Sequence, residues 1–160
     1  MKSEEELLEL ANKKGCTYIS INEKLPKKFI EKYQDKVDWC WISRYQKLSE
    51  SFIEKYQDKV DWSWISYFQK LSEKFIEKFQ DKVDWWCISQ CQKLSESFIE
   101  KYQDKVDWSW ISYFQKLSED FILNNFSKID LNKLKQNKHF NFNNIKNIEL
   151  KLLLELRGEK

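Results

Sequence analysis

The sequence predicts an all-α fold: short helix–turn–helix repeats of 23 residues stacked as an α-solenoid. Three observations lead there. First, key residues recur at a fixed step. Phe29, Phe52, Phe75, Phe98 and Phe121 are each 23 apart, as are Trp39, Trp62, Trp85 and Trp108, and Ile42, Ile65, Ile88 and Ile111. A constant period of about 20–50 residues is the mark of a stacked array. Second, within one repeat Phe52, Ile53, Tyr56 and Val60 fall at i, i+1, i+4 and i+8, a helical stripe and not strand alternation. Third, the chain has only two Gly (Gly15, Gly158) and one Pro (Pro26). All-β folds with many tight turns use more of both. The rival is an α/β solenoid of the leucine-rich type, whose repeat length also accommodates 23 residues. The scarce Gly and the lack of an Asn ladder weigh against it.

The chain divides into a single repeat domain, 1–160, with distinct ends. Residues 1–25 read as an N-terminal cap, in which CTYISINEKLP lines up with WCWISRYQKLS and places Ile19 and Ser20 in the Ile42 and Ser43 slots. Residues 26–120 hold four full repeats. Residues 121–160 hold a fading repeat and a C-terminal cap, with Leu131 in the Trp slot and Leu134 in the Ile slot. Stacked repeats need atypical ends, because an inner repeat left at a terminus exposes its apolar face.

Each full repeat is expected to start a first helix at Ser49 or Ser51, with Ser51 and Glu54 fitting a capping box. Asp61 then caps a second helix, WSWISYFQKL, with Trp62, Ile65 and Phe68 or Gln69 along one face. Two to three turns per helix fit the period. Helices so short are marginal alone, so stacking must hold them. NKHFNFNNIKN (137–147) is Asn-rich and reads as a loop, and IKNIELKLLLELR (145–157) as an amphipathic capping helix.

Hydrophobic residues make up 41% of the chain, enough for a core. Charged residues make up 34%, yet the net charge is +2. No apolar run reaches the roughly 18–20 residues of a membrane span. The stretch MKSEEELLEL lacks the apolar run of a signal peptide. Cys16, Cys40, Cys87 and Cys91 show no disulfide spacing. A cytoplasmic, reducing location with no membrane association is expected.

The unit from Ile42 to Trp62, ISRYQKLSESFIEKYQDKVDW, resembles a tandem repeat of the form ISxYQKLSExFIEKFQDKVDW found in proteins of large DNA viruses and in some phage and bacterial proteins. It is also similar to a cousin repeat with Pro-Asn and Pro-Asp turns around DWxWIS. The resemblance covers about 26–120 and ends after 134. It implies a viral or mobile-element origin and, in a virus, a protein that engages a host factor. No catalytic motif comes with it, so no functional residue is carried over.

The residues themselves point away from an enzyme. An active site needs a unique constellation of acid, base or nucleophile, and here each charged residue of the motif recurs. His139 is a general-base candidate, but in an Asn-rich loop it reads as a solvated side chain. Cys87 and Cys91 lie at i, i+4 on one helix, and a metal would need two more ligands, with Cys40 two repeats away. No metal or cofactor is expected. In the other repeats these two slots hold Trp41/Tyr45, Trp64/Phe68 and Trp110/Phe114. Repeat three thus trades two rings for two small side chains, and Trp86 enters one position earlier, about 100° around the helix. Either neighbours repack into the space or a shallow pocket forms.

Segment 51–73, SFIEKYQDKVDWSWISYFQKLSE, returns unchanged at 97–119. Among the positions that do vary, two slots give the candidate binding residues: the i, i+4 pairs Cys40/Arg44, Ser63/Tyr67, Trp86/Gln90 and Ser109/Tyr113, each projecting from one helical face. Stacked repeats would align such a face into an extended surface, and Tyr, Trp and Arg dominate binding hot spots. Drift on a solvent face is the alternative. Three functions fit: a scaffold for a protein partner, a single-stranded nucleic-acid binder reading bases repeat by repeat, or self-assembly into homo-oligomers through Leu150, Leu152, Leu153, Leu154 and Leu156. Against nucleic acid, residues 1–120 carry 20 Lys and Arg and 22 Asp and Glu, and a phosphate-tracking groove shows a basic stripe.

Overall fold

A computed structural model describes residues 2–156. Among them are thirteen α-helices and no strand, so the fold is all-α and the α/β alternative is not supported. The chain divides into two compact units, Met1–Val83 and Asp84–Lys160. In each, short helices repeat and pack on their neighbours in chain order, as in an α-solenoid.

The first unit holds α1 (Glu4–Lys14), α2 (Cys16–Asn22), α3 (Lys27–Lys32), α4 (Trp39–Tyr45), α5 (Glu50–Lys55), α6 (Trp62–Phe68) and α7 (Glu73–Lys78). The repeat helices have six or seven residues, just under two turns and shorter than the sequence suggests. Their starts are set by side chains. Ser49 Oγ accepts from Phe52 N–H at 3.3 Å, and Asp61 Oδ1 from Trp64 N–H at 3.1 Å. The cap of the first helix is thus Ser49, and the expected Ser51–Glu54 box does not form. Comparison of the repeats explains why: Ser72, Ser95 and Ser118 hold the Ser49 slot, whereas Lys74 occupies the Ser51 slot in repeat three. A capping box does form at Ser3 and Glu6, at the start of α1.

Between the two helices of a repeat, Val60 N–H closes a turn onto Tyr56 C=O at 3.1 Å, and Trp62 Nε1–H reaches back to Gln57 C=O at 2.9 Å. Phe52, Ile53, Tyr56, Val60 and Ile65 are all buried, as the stripe predicts. Of the two candidates for the inner face of the second helix, Gln69 is buried and Phe68 is exposed. Second helices pack on second helices, α2 on α4 and α4 on α6. The cap fits the same lattice: Ile19 and Ser20 are fully buried in their predicted slots.

The second unit holds α8 (Trp85–Cys91), α9 (Glu96–Lys101), α10 (Trp108–Phe114), α11 (Glu119–Asn124), α12 (Leu131–Leu134), a 3-10 turn at Phe142–Asn144, and α13 (Ile148–Leu156). Here α8 packs on α10, α10 on α12, and α11 on α13. Leu131 and Leu134 are buried in the slots vacated by Trp and Ile. The closing helix buries Leu150 and Leu154, while Ile148, Leu152 and Leu156 are exposed. The expected loop 137–147 is confirmed apart from the one 3-10 turn.

Candidate functional site

The candidate face is carried on the second helices, so the frame that fixes those helices comes first. Gln46 is 6% exposed, and its side chain reaches back to the N-terminal cap. Its Nε2 donates to Ser20 C=O and Glu23 C=O at 2.8 Å each, and its Oε1 accepts from Leu25 N–H at 2.9 Å. Gln69 does the same to Ser43, Gln46 and Leu48 at 2.9, 2.8 and 3.0 Å. In the second unit Gln115 does it to Ser89, Gln92 and Leu94 at 3.1, 2.8 and 3.1 Å. These carbonyls lie at helix ends that have no helical partner, and a buried amide fills that need. The stack therefore has a glutamine ladder, although the absence of an Asn ladder argued against β structure.

A second tie uses serine. Ser43 Oγ donates to Trp39 C=O at 2.7 Å and accepts from Asp61 N–H, in the next repeat, at 2.9 Å. Ser89 and Ser112 repeat both bonds. Because Asp61 caps the following second helix, each serine positions the next helix start.

On this frame the predicted pairs take unequal places. Ser109 Oγ donates to Asp130 Oδ2 at 2.9 Å, and Thr17, in the same slot, to Asp38 Oδ2 at 3.0 Å. A hydroxyl there holds the next capping aspartate, which gives Ser109 a structural task. Cys40 and Ser63 are exposed. Trp86 is 48% exposed and sets its ring edge-on to Trp110, with centroids 5.6 Å apart. The second slot is more distinctive. The Arg44 guanidinium carbon lies 4.4 Å from the Trp64 ring, 5.1 Å from Tyr45, 5.5 Å from Phe68 and 5.8 Å from Trp41. The structure thus joins residues of two repeats around one cation. Tyr67 packs on Phe68 at 4.7 Å, and Tyr113 on Phe114 at 4.6 Å. Arg44 Nε and Gln90 Oε1, in the same slot, are buried without a hydrogen-bond partner.

Both outcomes foreseen for repeat three occur, at different places. Cys87 is 6% exposed, so the Trp slot is closed over, with Trp86 lying against Trp110. At Cys91 the missing ring leaves an open groove of about 400 Å³, bordered by Phe114 and His139. His139 is exposed, as expected of a loop residue. A repeat-equivalent groove of about 350 Å³ lies in the first unit, and there Asn22 holds the Cys91 slot and Tyr45 the Phe114 slot. Both grooves sit where the sequence puts a small side chain in place of a ring.

All four cysteines are free. Burial, then Asp84, pushes the Cys87 thiol up to about 12, and burial also raises Cys91. Both stay protonated at neutral pH, which suits packing and not nucleophilic attack. No three metal-ligating side chains converge among the described residues, and no helix among them is long and apolar enough to cross a membrane.

The lysines complete the face. On the first-helix side, Lys55 pairs with Glu31 at 2.8 Å, Lys78 with Glu54 at 2.5 Å, and Lys59 with Asp35 at 2.7 Å, each one repeat back. Lys24, Lys47, Lys70, Lys93 and Lys116 instead have no ion pair among the described residues. They follow the second helices. The four segments 39–48, 62–71, 85–94 and 108–117 contain Arg44 and four of these lysines but no Asp or Glu. The net charge hides this, because averaging over a repeat merges a neutralised side with a basic one. Comparison with protein-family models, curated proteins and solved structures gives no match.

Proposed function

We propose that the chain is a non-catalytic scaffold that takes a protein partner on the aromatic face of its second helices. One observation carries this: large rings stand out of a frame whose polar groups are satisfied internally. Tyr45 is 47% exposed, Phe68 45% and Trp86 48%. Rings held by packing lose little side-chain freedom on binding, and such residues anchor interfaces. The resemblance of the repeat to viral tandem repeats supports a viral protein that meets a host factor in the cytoplasm.

A pull-down from a host lysate, with and without nuclease, tests the reading. A protein identified in the eluate, resistant to nuclease and lost with Trp86→Ala/Gln90→Ala, is the expected result. Capture equal in wild type and variant would remove this face from the account. A second reading, single-stranded nucleic-acid binding, is supported by the unpaired lysine row beside the rings. Capture abolished by nuclease would put it first.

A further inference from the structure

In each unit the groove is flanked by lysines without an ion pair among the described residues, and groove and lysines together specify a partner chemistry. The first groove is lined by Asn22, Tyr45, Lys24 and Lys47, and also by Lys27 and by Glu23, whose carboxylate is taken up by Lys2 at 2.9 Å. The second has Cys91, Phe114, Lys93 and Lys116 in the equivalent positions, and adds Gln90. Each has an aromatic ring and aliphatic carbon in its wall, has room for a large apolar side chain, and is flanked by two lysines that form no ion pair among the described residues. We propose that these grooves are docking sites for an acidic linear peptide: an apolar side chain enters each groove while neighbouring carboxylates meet the lysine pair. This deepens the scaffold reading and rests on it.

Charge complementarity decides the occupant. A basic or neutral apolar segment would leave both lysines facing like charge or nothing, whereas Glu or Asp flanking a Leu or Phe satisfies ring and cations together. Nucleic acid fits less well. Its phosphates are closely spaced, while this row supplies one lysine per 23 residues. The rings also spend their faces on each other, Trp64 on Phe68 and Trp110 on Phe114, both at 5.6 Å, in place of standing apart as stacking platforms.

The test is fluorescence anisotropy on the intact chain, with a labelled peptide alternating Glu and Leu as the probe. Three competitors are its Lys-for-Glu analogue, its Ala-for-Leu analogue and a polythymidine strand. Saturable binding is expected, weakened roughly tenfold or more by Lys93→Glu/Lys116→Glu together with Lys24→Glu/Lys47→Glu. Filling the grooves with Cys91→Phe and Asn22→Tyr should weaken it as much. Those two place repeat-type rings in ring slots, so they should fold, and an unchanged thermal midpoint checks it. Lys70→Glu is the internal control, because Phe68 fills the slot beside it, and it should leave binding within about twofold.

Equal binding of the Lys analogue, tighter binding of polythymidine, or no effect of the filling variants overturns the proposal. So does an equal loss from Lys70→Glu, which would reduce the site to a charge row. If a partner recovered by pull-down ignores the lysine and groove variants but needs Trp86, the scaffold reading survives and the acidic-peptide assignment does not.

Discussion

Two ladders run through the repeats at the same 23-residue step, and they differ in where they lie. The glutamine ladder is buried and neutral: Gln46, Gln69 and Gln115 are 6%, 6% and 4% exposed. The lysine–carboxylate ladder is exposed and charged, and the side chains of Lys55 and Glu31 are 59% and 37% accessible. In the first unit both tie a repeat to the one before it. A buried amide that loses its partners strands polar groups where water cannot replace it. An exposed ion pair gives up little that solvent does not return. The molecule is held by the ladder without charge, and the charged ladder removes acidic and basic residues from play on one side. That leaves the second-helix side basic.

The largest expected effect comes from breaking the buried ladder. Gln46→Ala removes three hydrogen bonds and leaves Leu25 N–H, Ser20 C=O and Glu23 C=O without their side-chain partner. The expected cost is roughly 2–5 kcal/mol in urea unfolding. Gln46→Asn should cost nearly as much, because the shorter amide falls short. Asn137 shows the condition under which Asn works. It donates to Ser112 C=O and Gln115 C=O at 2.8 Å each, but from one residue earlier than the repeat spacing demands, after a helix of only four residues. Its Oδ1 turns to His139 N–H at 2.8 Å, away from the preceding repeat. If Gln46→Ala unfolds at the wild-type urea midpoint, the ladder does not hold the stack.

Ser43→Ala should rank second. It removes the acceptor for Asp61 N–H and frees Trp39 C=O of a bond it has beside its helix partner. A loss of about 1–2 kcal/mol is expected, read from the same titration. A loss as large as that of Gln46→Ala would mean that the serine relay, and not the amide, fixes the second helices.

These two residues also show what the sequence made legible. Its 23-residue period, its caps at Asp61 and at one of two serines, its core stripe and its atypical ends are all matters of spacing, and spacing is visible in a string. The roles of Gln69 and Phe68 were not separable that way. They are neighbours in sequence, both fit a helical face, and hydrophobicity favours Phe68 for the inside. Burial went to Gln69 because the ends of stacked short helices leave carbonyls that only an amide can answer. The candidate site was legible in part. Arg44 and Trp86 were singled out as departures from the frame, and both touch rings of the following repeat. Ser109 was singled out too, yet its variation has a structural reading, since Thr17 does the same task. The grooves needed the comparison of Asn22 with Cys91 across three repeats, and the lysine row needed knowledge of which lysines are already paired.

The smallest effects belong to the exposed ladder, and one measurement sets it against the buried one. In α1, Glu4 takes the carboxylate's place and accepts from Lys32 at 2.5 Å and Tyr33 Oη at 2.8 Å. Those bonds, Lys32 first, hold the Glu4 carboxyl below its ordinary value of 4.5. A carboxyl whose value is depressed by folding stabilises fully above 4.5 and loses that contribution as pH falls through its folded value. Gln69 does not titrate at all. Hydrogen exchange followed as the pH is taken below 4.5 should therefore loosen the amides of α1, where Glu4 sits, before it loosens Leu48 N–H, which donates to Gln69 Oε1 at 3.0 Å. Parallel loss at both places would mean that the ion pairs carry the stack. Loss at α1 alone would show that a neutral amide ladder keeps the repeats in register while the charges are dispensable to the fold. The lysines of the second-helix side would then be free to vary with the partner they meet.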